Sequence, residues 1–178
     1  MTTRLAALLL LLCCVPNAQA ADADLITGDA LQFAIPAAAL SVAFMKDDHE
    51  GEIQWVRNTA ASAAAMEVSK LIFDNTGLGR RPNGGRMSFP SGHVTLAASG
   101  AAFLTERYGW EYGVGAWALT GFVAYSRVDE GYHHWWDVVG GAALSFGISK
   151  LFVTPQSATH IAPIVGPDFI GLRWERSW

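Results

Sequence analysis

The chain of 178 residues is long enough for one domain and short for two. Hydrophobic residues make up 51% of it and charged residues 16%, a composition that excludes disorder over most of the length and favours a large core or contact with lipid. The formal net charge of −4 creates no global positive field, so we do not expect nucleic acid as a partner.

The first twenty residues have the pattern of a secretory signal peptide. Arg4 precedes the apolar run Leu5–Val15, and Ala18-Gln19-Ala20 has the small residues of a cleavage site. The apolar run is too short to cross a bilayer comfortably, so we expect cleavage after Ala20; the alternative is an uncleaved first membrane helix. Both cysteines lie in this segment, which leaves the mature chain without a thiol for disulfides, metal ligation or nucleophilic attack.

Five apolar stretches rich in Ala and Gly follow the signal, and they lack the long alternation of Val, Ile and Thr that indicates strands. They run over Ala30–Phe44, Ile53–Phe73, His93–Leu104, Val114–Ala124 and Val138–Val153. We therefore predict an all-α fold, a bundle of about five to six helices in which small residues permit close packing of the kind found in membranes. Most stretches are shorter than the about 20 residues of a spanning helix, so a bundle lying at or partly in a membrane and a multi-pass protein both stay open.

The end of the chain changes character. Pro163 and Pro167 interrupt it, and apolar residues then alternate with Gly or charged residues over 170–175. This period of two predicts a short strand. The sequence thus divides into a signal peptide at 1–20, a helical domain at 21–160 and a C-terminal β-like tail at 161–178.

Three polar clusters interrupt the apolar pattern. They contain Lys70, Arg80 and Arg81, then Pro90-Ser91-Gly92-His93, then Ser126-Arg127 through His133 to Asp137. In an up-and-down bundle, the end of the second helix, the start of the third, the end of the fourth and the start of the fifth share one face. Residues far apart in the sequence are therefore expected to meet at one site.

The residue types in these clusters suit a phosphate group. Ser91 and Gly92 begin a helix, and the free N–H groups of a helix N-terminus bind anions. Arg81 and Arg127 carry planar, permanently charged groups that match phosphate oxygens. We therefore expect an anion site where the clusters meet.

Two histidines supply the chemistry. His133 and Asp137 are four residues apart, so on a helix the carboxylate would accept the ring N–H of His133 and leave the other nitrogen free to attack. His93 can then protonate the leaving oxygen and afterwards activate water. A metal centre on these histidines and His134 is disfavoured, because adjacent histidines on a helix diverge and two arginines repel a cation; we expect no metal and no cofactor.

The order and spacing of these motifs resemble the type 2 phosphatidic acid phosphatase (PAP2) family, which shares its fold with vanadium haloperoxidases and bacterial acid phosphatases. The family signature is Lys-x6-Arg-Pro, then Pro-Ser-Gly-His, then Ser-Arg-x5-His-x3-Asp. Its second and third parts are complete here. The resemblance implies the nucleophile at His133, held by Asp137, and the general acid at His93. It further implies that four residues bind the phosphoryl group: Arg81, Ser91, Gly92 and Arg127.

The first part of the signature is altered. Ten residues separate Lys70 from Arg81, and Asp74 occupies the position of the family's lysine. An insertion near Asp74–Gly77 would bring Lys70 into the phosphate pocket, whereas a carboxylate there would repel the substrate. We therefore predict Lys70 as a further phosphate ligand, with Arg80 as the alternative.

The sequence favours a metal-independent phosphatase that hydrolyses a lipid phosphate monoester or pyrophosphate through a phosphohistidine intermediate. The alternatives are a secreted soluble acid phosphatase for small-molecule esters, a vanadate-dependent haloperoxidase and a non-catalytic membrane binding protein with a relic site. We expect the protein in the inner cell membrane, with its site facing the periplasm or exterior, because the signal delivers the N-terminus outside and two helices bring Lys70 back. A soluble periplasmic or secreted protein is the alternative location, and the oligomeric state is not predicted.

Overall fold

The computed structural model describes residues 23–156, 159–165 and 170–176. Five helices occupy most of this length: α1 (Ala23–Met45), α2 (His49–Phe73), α3 (Gly92–Tyr108), α4 (Trp110–Asp129) and α5 (Trp135–Phe152). A short 3₁₀ turn at Gly77–Gly79 follows α2, and two strands, β1 (Thr159–Val165) and β2 (Ile170–Arg176), follow α5. The predicted helical bundle is confirmed, while the expected cleavage site after Ala20 lies outside the described residues.

Helix α3 is the centre of the bundle, since it packs against all four other helices. Its middle consists of the small, buried residues Ala97–Ala102. A Cβ atom on Gly100 would lie 2.6 Å from the Cα atom of Pro36 in α1, so only glycine permits this approach of the two backbones. Small side chains in α3 therefore set the distance between the helices, as the Ala- and Gly-rich composition predicts.

A buried amide joins three helices in the core. Asn58 of α2 donates from Nδ2 to the carbonyl oxygen of Ser99 in α3, at 3.0 Å. Its Oδ1 accepts from the hydroxyl of Ser149 in α5, at 2.9 Å. Because a buried amide is costly unless its groups are paired, these two bonds specify how α2 and α5 sit on α3.

The helices alternate in direction, and three contacts bring their ends together. The backbone N–H of Ser91 donates to the carbonyl of Asp137 at 3.0 Å, which joins the starts of α3 and α5. Lys70, in the last turn of α2, places its Nζ atom next to Gly92. Arg127, near the end of α4, donates from Nη2 to the carbonyl of Leu25 at 2.8 Å. The helix ends expected to share one face do so, and the start of α1 lies with them.

The C-terminal segment forms a two-stranded antiparallel hairpin. The predicted strand is β2, but the first strand was not expected, because Pro163 was read as an interruption. Pro163 instead lies inside β1, opposite Leu172. A proline is tolerated in a strand that leaves one edge unpaired, and a hairpin of two strands has such edges.

Among the described helices, α1 has the length and hydropathy of a membrane-spanning segment. It extends over 23 residues and begins before the predicted apolar stretch that starts at Ala30. The other described helices do not meet the same criterion of length and hydropathy.

A buried ion pair closes the end of the bundle opposite to the starts of α3 and α5. Asp48 caps the N-terminus of α2 by accepting the N–H of Gly51, at 3.0 Å. The same carboxylate accepts from Nε and Nη2 of Arg107 and from the hydroxyl of Tyr108, both at the end of α3. The pair therefore ties the turn between α1 and α2 to α3.

We expect Arg107→Ala to lower the free energy of unfolding by roughly 3–5 kcal/mol, because it leaves the Asp48 carboxylate buried without its cation. Asp47→Asn is the matched control, since Asp47 is an exposed neighbour and a surface change of this kind alters stability by about 0.5 kcal/mol or less. Denaturant unfolding of both variants in the same detergent measures the difference. An Arg107→Ala protein as stable as the control would contradict the role assigned to the pair.

Candidate active site

His133 lies in the turn before α5 and not on a helix, which corrects the geometry inferred from its spacing to Asp137. The helix begins at Trp135, and His134 is its N-cap. Asp137, in the first turn, folds its side chain back, so that Oδ2 accepts the N–H of His134 at 2.8 Å. The same atom is 3.5 Å from Nδ1 of His133. A capping box thus produces the predicted histidine–carboxylate pair by a different local route.

Ser88, which lies outside the three sequence motifs, joins this pair. Its hydroxyl donates to Oδ2 of Asp137 at 2.5 Å and lies 3.5 Å from Nδ1 of His133. All three side chains are buried; that of His133 is 3% exposed. Because Nδ1 faces Ser88 and Asp137, Nε2 is the nitrogen left for attack. In the sequence, the one indication that Ser88 belongs to the site is its position two residues before Pro90, in the segment that leads into α3.

The turn after α4 holds His133 close to Arg127. The backbone N–H groups of Tyr132 and His133 both donate to the carbonyl of Arg127, at 3.0 and 3.1 Å. Gly131 has a φ of +67°, a left-handed conformation that glycine adopts without steric cost. The backbone therefore places the histidine and the arginine of the third motif next to each other before any side chain is considered.

The N-terminus of α3 provides free donors. Ser91 is its N-cap, but its side chain makes no capping bond. The buried Ser91 Oγ has no hydrogen-bond partner within the described part of the chain. Since the first N–H groups of a helix have no partner inside the helix, this end can bind an anion.

Lys70 reaches this helix end despite its altered spacing. A Cβ atom on Gly92 would lie 3.3 Å from Nζ of Lys70. The long side chain extends from the last turn of α2, and the extra residues form the loop that contains the 3₁₀ turn at Gly77–Gly79. The geometry agrees with the proposed insertion, and the binding of phosphate by Lys70 stays a prediction.

Asp74, which occupies the family's lysine position, holds the inserted loop together. Its carboxylate pairs with the guanidinium of Arg86 and accepts the N–H of Met87 at 3.2 Å. Arg81 donates from Nε to the carbonyl of Arg86, at 3.0 Å. The loop therefore presents Arg81 at the edge of an open cleft of about 540 Å³. Six residues line this cleft: Glu67, Lys70, Asp74, Arg81, Arg86 and Met87.

The general-acid candidate His93 lies in the first turn of α3 and contacts a carboxylate that the sequence analysis missed. Its Nε2 is 2.8 Å from Oδ1 of Asp29 in α1. Arg127 donates from Nη1 to the same oxygen, at 2.9 Å. The alternation of helix directions places the start of α1 at this face, and Asp29 lies one residue before the apolar stretch that the sequence predicts from Ala30, so the apolar pattern does not indicate it.

Burial and neighbouring cations act together on His133. Burial is the largest cause that lowers the pKa of its imidazole, and the charges of Arg81 and, to a smaller extent, Lys70 lower it further. Asp137 opposes them by favouring the protonated ring. The net pKa of His133 is below its ordinary value, which favours the unprotonated ring at neutral pH.

The two adjacent histidines have different surroundings. The ring of His134 stacks on Trp136, with centroids 4.3 Å apart, while His133 is directed toward Ser88 and Asp137. Within the described ranges, no group of three or more His, Cys, Asp or Glu side chains is arranged to hold a metal ion.

Comparison with known proteins identifies the family. The sequence model of the PAP2 superfamily matches residues 48–159, more than half of the chain. The chain belongs to the PAP2 superfamily. The matched region includes all three signature motifs but excludes Asp29.

Two relatives of this PAP2 chain are informative. The lipid A 4'-phosphatase of Helicobacter pylori is 28% identical over 155 residues, which cover 81% of this chain and 77% of the relative. The crystal structure of Aquifex aeolicus LpxE superposes with a TM-score of 0.61 at 16% identity, and covers 83% of this chain and 92% of that one. At this identity, the second likeness establishes the fold.

We expect Ser88→Ala to slow phosphate ester hydrolysis by about tenfold or more, because Asp137 loses a hydrogen bond that is typically about 1.5–3 kcal/mol for a charged acceptor. Ser99→Ala is the matched control: Ser99 is also buried, and its hydroxyl donates to Leu96 in the middle of α3. Steady-state kinetics on an aryl phosphate compare the two. Equal rates in both variants would show that Ser88 has no role in the site.

Proposed function

We propose that this protein is a metal-independent phosphatase that hydrolyses a lipid phosphate through a phosphohistidine intermediate. The observation that carries the proposal is the buried arrangement of Ser88, Asp137 and His133, with the cations of Arg81 and Lys70 close enough to affect the histidine. A buried, unprotonated histidine next to cations is suited to attack an anionic phosphorus centre.

The phosphoryl group would bind at the N-terminus of α3. The first N–H groups of the helix and the hydroxyl of Ser91, which has no partner among the described residues, are hydrogen-bond donors. Lys70 lies beside Gly92 at the same helix end. The guanidinium groups of Arg81 and Arg127 would donate further hydrogen bonds to the remaining oxygens and supply positive charge. Such donors, already in place, stabilise the charge of a five-coordinate phosphoryl transition state better than mobile water does.

The reaction would proceed in two displacements. Nε2 of His133 forms a bond to phosphorus as the ester P–O bond breaks, and His93 gives its proton to the leaving oxygen. The phosphorylated imidazole carries a positive charge, which the carboxylate of Asp137 stabilises. In the second step His93 takes a proton from water as the water oxygen bonds to phosphorus and the P–N bond breaks. His133 and His93 are then restored, and inorganic phosphate is released.

A lipid is the favoured substrate because exposed apolar side chains lie around the site. Leu71 and Ile72 at the end of α2 are exposed, as are Trp135 and Trp136 at the start of α5. Aromatic residues at a helix end are typical of a membrane–water interface. The likeness to a lipid A 4'-phosphatase supports the same class of substrate, a phosphate monoester or pyrophosphate on a lipid.

The location follows from the same features. We propose that α1 inserts in the inner membrane and that the site faces the periplasm or exterior, since the start of α1 lies at the site and follows the signal sequence. Arg80, Arg81 and Arg86 would then lie outside, against the usual excess of cations on the cytoplasmic side. Phosphate binding by Arg81 and the pairing of Arg86 with Asp74 account for two of these three charges.

The mature protein should release phosphate from a panel of lipid phosphates, retain this activity in EDTA and lose it with orthovanadate, which mimics the five-coordinate transition state. His133→Ala should abolish turnover, and His93→Ala should slow it by roughly 10²–10⁴-fold, as for a lost general acid. His49→Ala is the control, because His49 is exposed at the opposite end of the bundle. The measurement is phosphate release from lipid and soluble substrates in parallel.

Three outcomes would contradict this proposal. A His133→Ala protein as active as the His49→Ala control would remove the nucleophile. Activity lost in EDTA and restored by a divalent metal would refute the histidine mechanism. A strong preference for soluble esters over every lipid would favour the secreted acid phosphatase instead.

Lys70→Met should reduce turnover by roughly 10²–10³-fold, since losing a donor that is positioned for the transition state typically costs about 2.7–4 kcal/mol. Arg80→Met is the comparison, because Arg80 is an exposed cation of the same loop. Both variants are assayed at saturating substrate. If Lys70→Met keeps full activity while Arg80→Met loses it, the insertion is placed wrongly and Arg80 fills the role of the family's lysine.

A further inference from the structure

We infer that Asp29 is a positioning residue of the site, which orients the general acid His93 and aligns Arg127 for the phosphoryl group. This inference rests on the proposed function, and it concerns a residue outside the three signature motifs and outside the region matched by the family. A single carboxylate oxygen, Oδ1 of Asp29, contacts Nε2 of His93 at 2.8 Å and Nη1 of Arg127 at 2.9 Å.

The contact decides which nitrogen of His93 can transfer the proton. With Nε2–H donated to Asp29, Nδ1 is the ring nitrogen that can give its proton to the leaving oxygen. The neutral ring that results keeps its hydrogen on Nε2, and Nδ1 then has a lone pair ready to accept a proton from water. Asp29 thus holds one tautomer of His93 in both half-reactions, as a carboxylate holds the histidine of a hydrolytic triad.

Three charged groups act on His93, each from a different helix. Burial is the largest cause that lowers the pKa of its imidazole, followed by the charge of Arg127 in α4, with a smaller contribution from Lys70 in α2. Asp29 in α1 opposes them by accepting a hydrogen bond and by its negative charge. A general acid has to be protonated, so Asp29 preserves the active form in a site filled with cations.

The start of α1 is built to bring Asp29 to this position. A Cβ atom on Gly28 would lie 2.5 Å from Oγ of Ser126 and 2.6 Å from Nη2 of Arg127, so any other residue here would displace these side chains. Nη2 of Arg127 also donates to the carbonyl of Leu25, at 2.8 Å. Two nitrogens of one guanidinium therefore bind α1, and the next residue after the glycine is Asp29.

The pH dependence of kcat/KM tests the inference, because its alkaline limb reports the protonation of the essential acid in the free enzyme. Asp29→Asn keeps the size of the side chain and removes its charge, so the pKa of His93 falls further and the alkaline limb moves to lower pH. We expect a shift of about one pH unit, the low end of the range for a close opposite charge, because the Asp29 side chain is 55% exposed. Asp29→Glu should restore part of the difference.

Asp24→Asn is the matched control, because Asp24 is an exposed aspartate near the start of the same helix. It should leave the alkaline limb in place. If Asp29→Asn lowers kcat equally at every pH without moving the limb, Asp29 only supports the structure and the inference is wrong.

A second readout does not depend on turnover. The chain has five histidines, and the His93→Gln variant identifies which ¹³Cε1 signal belongs to His93. This signal should titrate at lower pH in full-length Asp29→Asn than in the wild-type protein. Long-range ¹H–¹⁵N correlations should show the Nε2–H tautomer for neutral His93 in the wild type. An unchanged titration or the Nδ1–H tautomer would overturn the inference. If the titration moves as expected while no phosphate ester is hydrolysed, the proposed function fails and the coupling between Asp29 and His93 stands.

Discussion

Asp137 contributes both to the packing of the helices and to the candidate active site. Its side chain caps α5 by accepting the N–H of His134, receives the hydroxyl of Ser88 and lies beside His133. Its backbone carbonyl accepts the N–H of Ser91, where α3 begins. Burying a carboxylate is costly without such donors, and the bonds that Oδ2 and the backbone of Asp137 accept also hold His133 near the N-terminus of α3.

The second constraint is electrostatic. A site for phosphate needs cations, and cations oppose the protonation of neighbouring histidines such as His133 and His93. In the proposed mechanism this effect favours His133, which has to be unprotonated to attack, and opposes His93, which has to keep its proton. Two carboxylates oppose the cations: Asp137 favours positive charge on the ring of His133, and Asp29 favours positive charge on the ring of His93.

Close packing of small residues makes this arrangement possible. Gly100 lets α1 approach the centre of α3, and Gly28 lets the start of α1 approach Arg127. A larger residue at Gly100 would push against the backbone of α1, and one at Gly28 would displace the guanidinium of Arg127 that binds Asp29. The loop after α2 has a related arrangement: Asp74 pairs with Arg86, while the long side chain of Lys70 extends to the N-terminus of α3 beside Gly92.

The amino-acid sequence by itself determined the helical class, the shared face of the helix ends and the residues of the three motifs, because apolar periodicity and motif spacing are local properties of the chain. It did not determine that His133 precedes α5, since a capping box and a helical turn give the same spacing to Asp137. Ser88 and Asp29 emerged only in the tertiary structure. Their partners are 49 and 64 residues away in the chain, and the packing of α1 and α5 on α3 decides which of the many buried or exposed polar side chains meet.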